Sequence, residues 1–294
     1  MLKGAFTALI TPFKDGEVDY DALRKIVRLQ LDGGINGLVP LGTTGETPTL
    51  HDDEKEKILK VVIEEAKGKV PIICGAGSNS TEKSVKEAKK MKELGADYLL
   101  VAAPYYNKPT QEGIYQHFKA ICDAVDIPIV VYNIKGRTGV NIETSTLLRL
   151  SKMKNIVAVK EASGDINQMM DVIDQLPKDF SVLSGDDSMT LPLISCGGHG
   201  IISVASNVMP DKMADLAAYA NQGDFESARE IHYELLDFFK VEFVETNPIP
   251  IKYAASLMGL CREEYRLPMC SLQEGSKAKM KVALEKLGLK CSCH

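Results

Sequence analysis

Lys160 ends the apolar run Ile156-Val157-Ala158-Val159. A lysine at the end of a buried strand loses hydration, which disfavours its charged form and lowers its pKa. A neutral amine attacks a carbonyl to form an imine. The competing reading is a strand-end lysine whose head reaches water or pairs with Glu161. Tyr132 closes another apolar run, Pro128–Asn133. Its phenol offers the proton transfers that imine and enamine chemistry needs, or it is a core tyrosine with one satisfied hydroxyl. Gly42-Thr43-Thr44-Gly45-Glu46 presents two hydroxyls and backbone N–H groups between two glycines. For Thr43 a capping box with Glu46 is the structural alternative; Thr44 has no such alternative. Arg137, in a loop, either holds a carboxylate with a bidentate fork or forms a loop salt bridge. Tyr105 and Tyr106 are loop aromatics that suit a site or a subunit contact.

What the sequence lacks narrows the chemistry. No pair among His51, His117, His199, His232 and His294 has metal-ligand spacing, which argues against a metal-dependent aldolase. There is neither a phosphate-binding Walker sequence nor a dinucleotide fingerprint. Gly197-Gly198-His199-Gly200 is glycine-rich but leads into a strand from the end opposite the candidate site. Cys291, Cys293 and His294 lie close together but read as a tail rather than a metal site.

These groups converge only if something aligns the ends of their strands. Short β-branched runs alternate with amphipathic stretches: Ala5–Thr11, Gly37–Leu41, Val70–Gly75, Asp97–Ala103, Pro128–Asn133, Ile156–Glu161, Ser181–Gly185 and Gly200–Val204. Their continuous apolarity suits parallel strands buried on both faces. Between them, Tyr20–Leu31, Ser80–Leu94, Glu112–Val125 and Ile142–Met153 follow the helical period. Eight such units predict an α/β (β/α)8 barrel over residues 1–207, with a doubly wound sheet as the alternative. Residues 208–294 read as a helical extension packed on the barrel. In such barrels the chemistry sits where strands end. Thr43, Thr44, Tyr106, Tyr132, Arg137, Lys160, Gly185 and Ile202 all fall there.

The 294 residues carry a net charge of −5, with 45% hydrophobic and 26% charged residues. That balance argues against nucleic acid as a partner. The basic run from Lys83 to Lys92 is interleaved with Glu and reads as a solvated helix face. No apolar stretch approaches a membrane span, and Met1–Phe13 reads as a first strand rather than a signal peptide. Seven scattered cysteines fit a reducing cytosol.

Taken together, these motifs resemble the dihydrodipicolinate synthase family of pyruvate-lysine aldolases. The resemblance rests on Gly42-Thr43-Thr44-Gly45-Glu46, Pro104-Tyr105-Tyr106-Asn107-Lys108-Pro109, Tyr132-Asn133 and Arg137-Thr138-Gly139. It continues through Val159-Lys160-Glu161-Ala162, Ser184-Gly185-Asp186-Asp187, Gly198-His199-Gly200 and Asn247-Pro248-Ile249-Pro250. It implies that Lys160 forms an imine with pyruvate and that no separate cofactor takes part. It also implies that Tyr132 moves protons through Thr44 to Tyr106 of a neighbouring subunit. Thr43, Gly185 and Ile202 would border pyruvate, and Arg137 would hold the carboxylate of aspartate 4-semialdehyde. The product would be 4-hydroxy-tetrahydrodipicolinate, on the route to lysine and diaminopimelate, made by a homotetramer built as a dimer of dimers. Sibling sugar-acid lyases such as N-acetylneuraminate lyase, and members of the fold that have lost catalysis, are the alternatives. Thr43-Thr44 and Arg137 favour the synthase over the lyase. Lysine-inhibited members carry His and Glu where this chain has Lys55 and Lys83, while Asn79 and Tyr105 match them. The resemblance therefore implies weak feedback by lysine.

Overall fold

The computed structural model describes residues 1–289. The tail group Cys291, Cys293 and His294 lies outside the described residues. Eight parallel strands form one sheet: β1 Gly4–Ala8, β2 Gly37–Val39, β3 Ile73–Gly75, β4 Tyr98–Ala102, β5 Ile129–Asn133, β6 Ile156–Glu161, β7 Ser181–Ser184 and β8 Gly200–Ser203. β1 pairs with both β2 and β8, and β3 through β8 follow in sequence order. A parallel bridge between Leu38 and Ile72 joins β2 to β3 and closes the barrel. β3 is shorter than the apolar run Val70–Gly75 because Pro71 has no N–H to give. Its carbonyl instead accepts from Leu38 N at 3.0 Å. At β8, Gly200 lets β1 come so close that a Cβ there would sit 1.9 Å from the Gly4 oxygen.

Helices wrap the barrel: α1 Tyr20–Asp32, α2 Asp52–Ala66, α3 Thr81–Glu93, α4 Gln111–Ala124, α5 Thr144–Leu150, α6 Ile166–Gln175, α7 Thr190–Ser195 and α8 Pro210–Gln222. Short polar side chains start several of them, as caps should. Asp19 accepts from Ala22 N, Thr110 from Gly113 N and Asp165 from Asn167 N. α8 packs on β1, β8 and α1, so it completes the outer ring. Among the described residues, the stretch expected as a separate extension therefore divides between that last barrel helix and three further helices, α9 Phe225–Val241, α10 Ile249–Leu257 and α11 Glu274–Lys286.

Two apolar layers result from the alternation of strand side chains. The outward layer meets the helices. The inward one contains Phe6, Ala8, Val39, Leu100, Val130, Tyr132, Ala158, Leu183 and Ile202. Because Ala158 faces inward, Lys160 two residues later does too. Glu161 faces the other way. It accepts from Asn133 Nδ2, Ser163 N and Gln168 Nε2, so the pairing of Lys160 with Glu161 does not form. No helix among the described residues is long and apolar enough to cross a membrane.

Candidate active site

At the carboxyl end of the barrel, a small pocket is lined by Thr43, Thr44, Tyr132, Arg137, Lys160, Gly185 and Asn247, among others. Lys160 and Tyr132 are direct partners in the β5–β6 register. The Lys160 Nζ lies 4.5 Å from the centroid of the Tyr132 ring. Only 5% of Lys160 is exposed. Burial lowers its pKa to about 8, opposed by the Asp187 charge and assisted by Arg137. Burial raises the Tyr132 phenol to about 12, while Arg137 and the adjacent Thr43 hydroxyl pull it back. At neutral pH the phenol keeps its proton, and a useful fraction of the lysine is free amine.

Gly185 makes room for that amine. A Cβ there would stand 3.0 Å from Lys160 Cε and 2.7 Å from Ala162 Cβ. Thr43 and Thr44 open a 3-10 turn, Thr43–Gly45, whose N-terminal residue Gly42 supplies no side-chain cap. The turn ends on Glu46 in the left-handed region, at φ 53°. Glu46 does not reach back to Thr43 as a capping box would. It is buried against Lys252 Nζ at 2.5 Å, with Phe13 beneath the ammonium. Thr11 Oγ1 also donates to Gly45 O, so the segment after β1 and helix α10 hold the loop from two sides.

Asn247 joins the remaining pieces. Its Nδ2 donates to Thr44 Oγ1 at 3.0 Å, and its main-chain oxygen accepts from Arg137 Nη2 at 2.9 Å. Arg137 thus has a main-chain anchor rather than a salt bridge, and its other N–H groups are available to a carboxylate. Asn247 is joined to Pro248 by a cis peptide bond.

Two of the expected residues stand elsewhere. Tyr106 is 88% exposed, at φ 72°, and does not line the pocket of its own chain. Ile202 is fully buried in the inward layer beneath the pocket, and Val204 lines the wall instead. Lys55 pairs with Asp52 and Glu87 at 3.3 and 3.6 Å, and Lys83 is exposed at the start of α3. The sequence names Asn247 only within a motif and gives it no role, and it does not single out Lys252, Phe243 or Glu242 at all. Asn247 and Lys252 follow the seventh and eighth strands by forty residues or more, too far for local spacing to link them to the site.

Residues 1–287 match the dihydrodipicolinate synthetase family. The chain belongs to that family. It is 50% identical over 290 residues to 4-hydroxy-tetrahydrodipicolinate synthase of Endomicrobium trichonymphae, covering 98% of this chain and 99% of the relative. The dihydrodipicolinate synthase structure from Aquifex aeolicus superposes with a TM-score of 0.97 at 46% identity, over 99% of this chain and 100% of that one. The enzyme from Acinetobacter baumannii, solved in complex with pyruvate, gives a TM-score of 0.96 at 40% identity, over 98% and 100% of the two chains. These likenesses place the chain among the synthases rather than the sibling lyases.

Proposed function

We propose that this enzyme condenses pyruvate with L-aspartate 4-semialdehyde through an imine on Lys160. The observation that carries the reading is the pairing of a buried, amine-lowered Lys160 with a protonated Tyr132 at one pocket. The free amine adds to the pyruvate carbonyl. Tyr132 gives a proton to the departing hydroxyl, and water leaves as the imine forms. The imine then acts as the electron sink while the pyruvate methyl loses a proton. In this reading the lysine does the work for which other aldolases use a metal, and no separate cofactor is needed. Arg137 holds the second substrate's carboxylate, and the enamine carbon attacks its aldehyde. The semialdehyde's own amino group then closes onto the imine carbon and expels the Lys160 amine, releasing 4-hydroxy-tetrahydrodipicolinate.

Thr44 extends the phenol's hydroxyl environment, and Tyr106 joins it from a second subunit. The exposure of Tyr106 in the single chain, outside the lining of its own pocket, supports that arrangement. The assembly we favour is a tetramer of two such dimers, working in the cytosol.

The test is pyruvate-dependent consumption of the semialdehyde, with Lys160→Ala as control and N-acetylneuraminate offered in parallel. Turnover of the semialdehyde by the wild type alone, with neuraminate untouched, is the expected result. Cleavage of neuraminate with an inert semialdehyde would overturn the assignment to Arg137 while leaving the imine lysine standing.

A further inference from the structure

Behind Lys160 lie two buried carboxyl groups that the proposed reaction does not use. Asp187 follows β7, and Glu242 caps the carboxyl end of α9. Both are fully buried. α9 packs against the turn that carries Asp187, which sets the two carboxyl groups beside one another. Their surroundings differ sharply. Asp187 Oδ1 accepts from Ser203 Oγ at 2.5 Å, and its Oδ2 accepts from Val204 N at 2.9 Å and Ala205 N at 3.4 Å. Neither oxygen of Glu242 meets a donor among the described residues. Two carboxylates in contact without a donor between them cannot both ionise in a dry interior. At least one of them therefore holds a proton. The three donors favour the charge on Asp187. The helix C-terminus, with its partial negative charge, disfavours one on Glu242.

We propose that Asp187 and Glu242 share one proton and so present a single negative charge behind the Lys160 amine, Glu242 acting as a positioning residue that donates to Asp187. The charges facing this pair are few. Asp186 faces it from the same turn as Asp187, and Lys160 faces Asp187 from β6, with Arg137 beyond. The ion pairs that α9 makes with α8 and α11, Lys212–Glu234 and Lys286–Asp237, lie on the outer surface. A single charge suits the chemistry. Two would hold the lysine as an ammonium, and none would leave the burial of the amine wholly unopposed.

The proposal rests on Lys160 being the imine-forming amine, but its first test does not. Infrared difference spectra of the wild type at neutral pH should show the C=O stretch of a buried protonated carboxyl, shifted in D2O and missing from Glu242→Gln. Its absence from the wild type, or its survival in Glu242→Gln, would overturn the pair. The second test is the pH dependence of pyruvate trapping on Lys160 by borohydride, read by mass. Glu242→Gln keeps a donor to Asp187 and should keep the wild-type acidic limb. Asp187→Asn removes the charge and should displace that limb downward by about half a unit or more. An unmoved limb in Asp187→Asn refutes the electrostatic role. If the wild type traps no pyruvate at all, the imine reading fails, and the infrared result alone decides the pair.

Discussion

Asn247 is hydrogen-bonded through its side chain to Thr44, 203 positions earlier in the chain. That bond fixes the Thr44 hydroxyl from a segment outside the eight βα units, while the same residue's carbonyl steadies Arg137. Asn247→Ala deletes the side-chain donor and keeps the main-chain acceptor. We expect kcat/KM to fall about tenfold, the equivalent of one hydrogen bond, with little change in Tm. Steady-state kinetics beside a thermal melt separate the two effects. Unchanged kinetics would show that Thr44 needs no such support.

Lys160 carries a stability cost that depends on pH. Its folded-state pKa is lowered from 10.5 to about 8 by burial. Between those values the unfolded chain binds more protons than the folded one, so this group makes folding more favourable as pH rises. Below pH 8 the full penalty of charging a buried amine is present. Lys160→Met should thus stabilise the protein at pH 7 by on the order of 3 kcal/mol, and the gain should shrink steadily above pH 8. Denaturant titrations of both proteins across that range will show it. A gain that is flat with pH would mean the lysine is not desolvated.

Much of this was readable from the chain itself. Lys160 and Tyr132 announce themselves because each ends an apolar run, and strand alternation then sets which way they face. The barrel followed from eight runs of one kind. Distant partners left no such trace. Nothing near Glu242 distinguishes it from any other residue at the end of an amphipathic helix. Only the packing of α9 against the turn after β7 reveals it as a buried acid. The partner of Glu46 was hidden for the same reason. Glu46 sits three residues after Thr43, which suggests a cap, yet its carboxylate is taken by Lys252, 206 positions away.

That Glu46–Lys252 pair is wholly buried, and removing one member strands the other. Lys252→Met should destabilise the protein by about 3–5 kcal/mol. The double variant Glu46→Leu, Lys252→Met should recover most of that loss, because two apolar side chains can fill the space without an uncompensated charge. A double-mutant cycle by chemical denaturation measures the coupling. Additive losses would show that the two groups do not act as a unit.

The surface near α3 bears on lysine feedback. Lys55 already occupies Glu87 and Asp52 as their ion-pair partner, and Lys83 adds a second ammonium at the start of α3. A lysine ligand would meet like charge there. Free lysine in the millimolar range should leave turnover nearly unchanged, and Lys83→Glu should increase sensitivity. Strong inhibition of the wild type at sub-millimolar lysine would contradict this.

The outward position of Tyr106 makes a prediction about mixed subunits. If its phenol serves the neighbour's pocket, Tyr106→Phe and Lys160→Ala damage different parts of two composite sites. Each pure variant should be nearly inactive. Dissociating and reassembling the two together creates dimers in which one pocket has an intact lysine from the first chain and an intact tyrosine from the second. Activity should therefore reappear on mixing and grow as subunits exchange. A Tyr106 that acted only within its own chain would leave each hybrid pocket with one lesion or the other, and mixing would restore nothing.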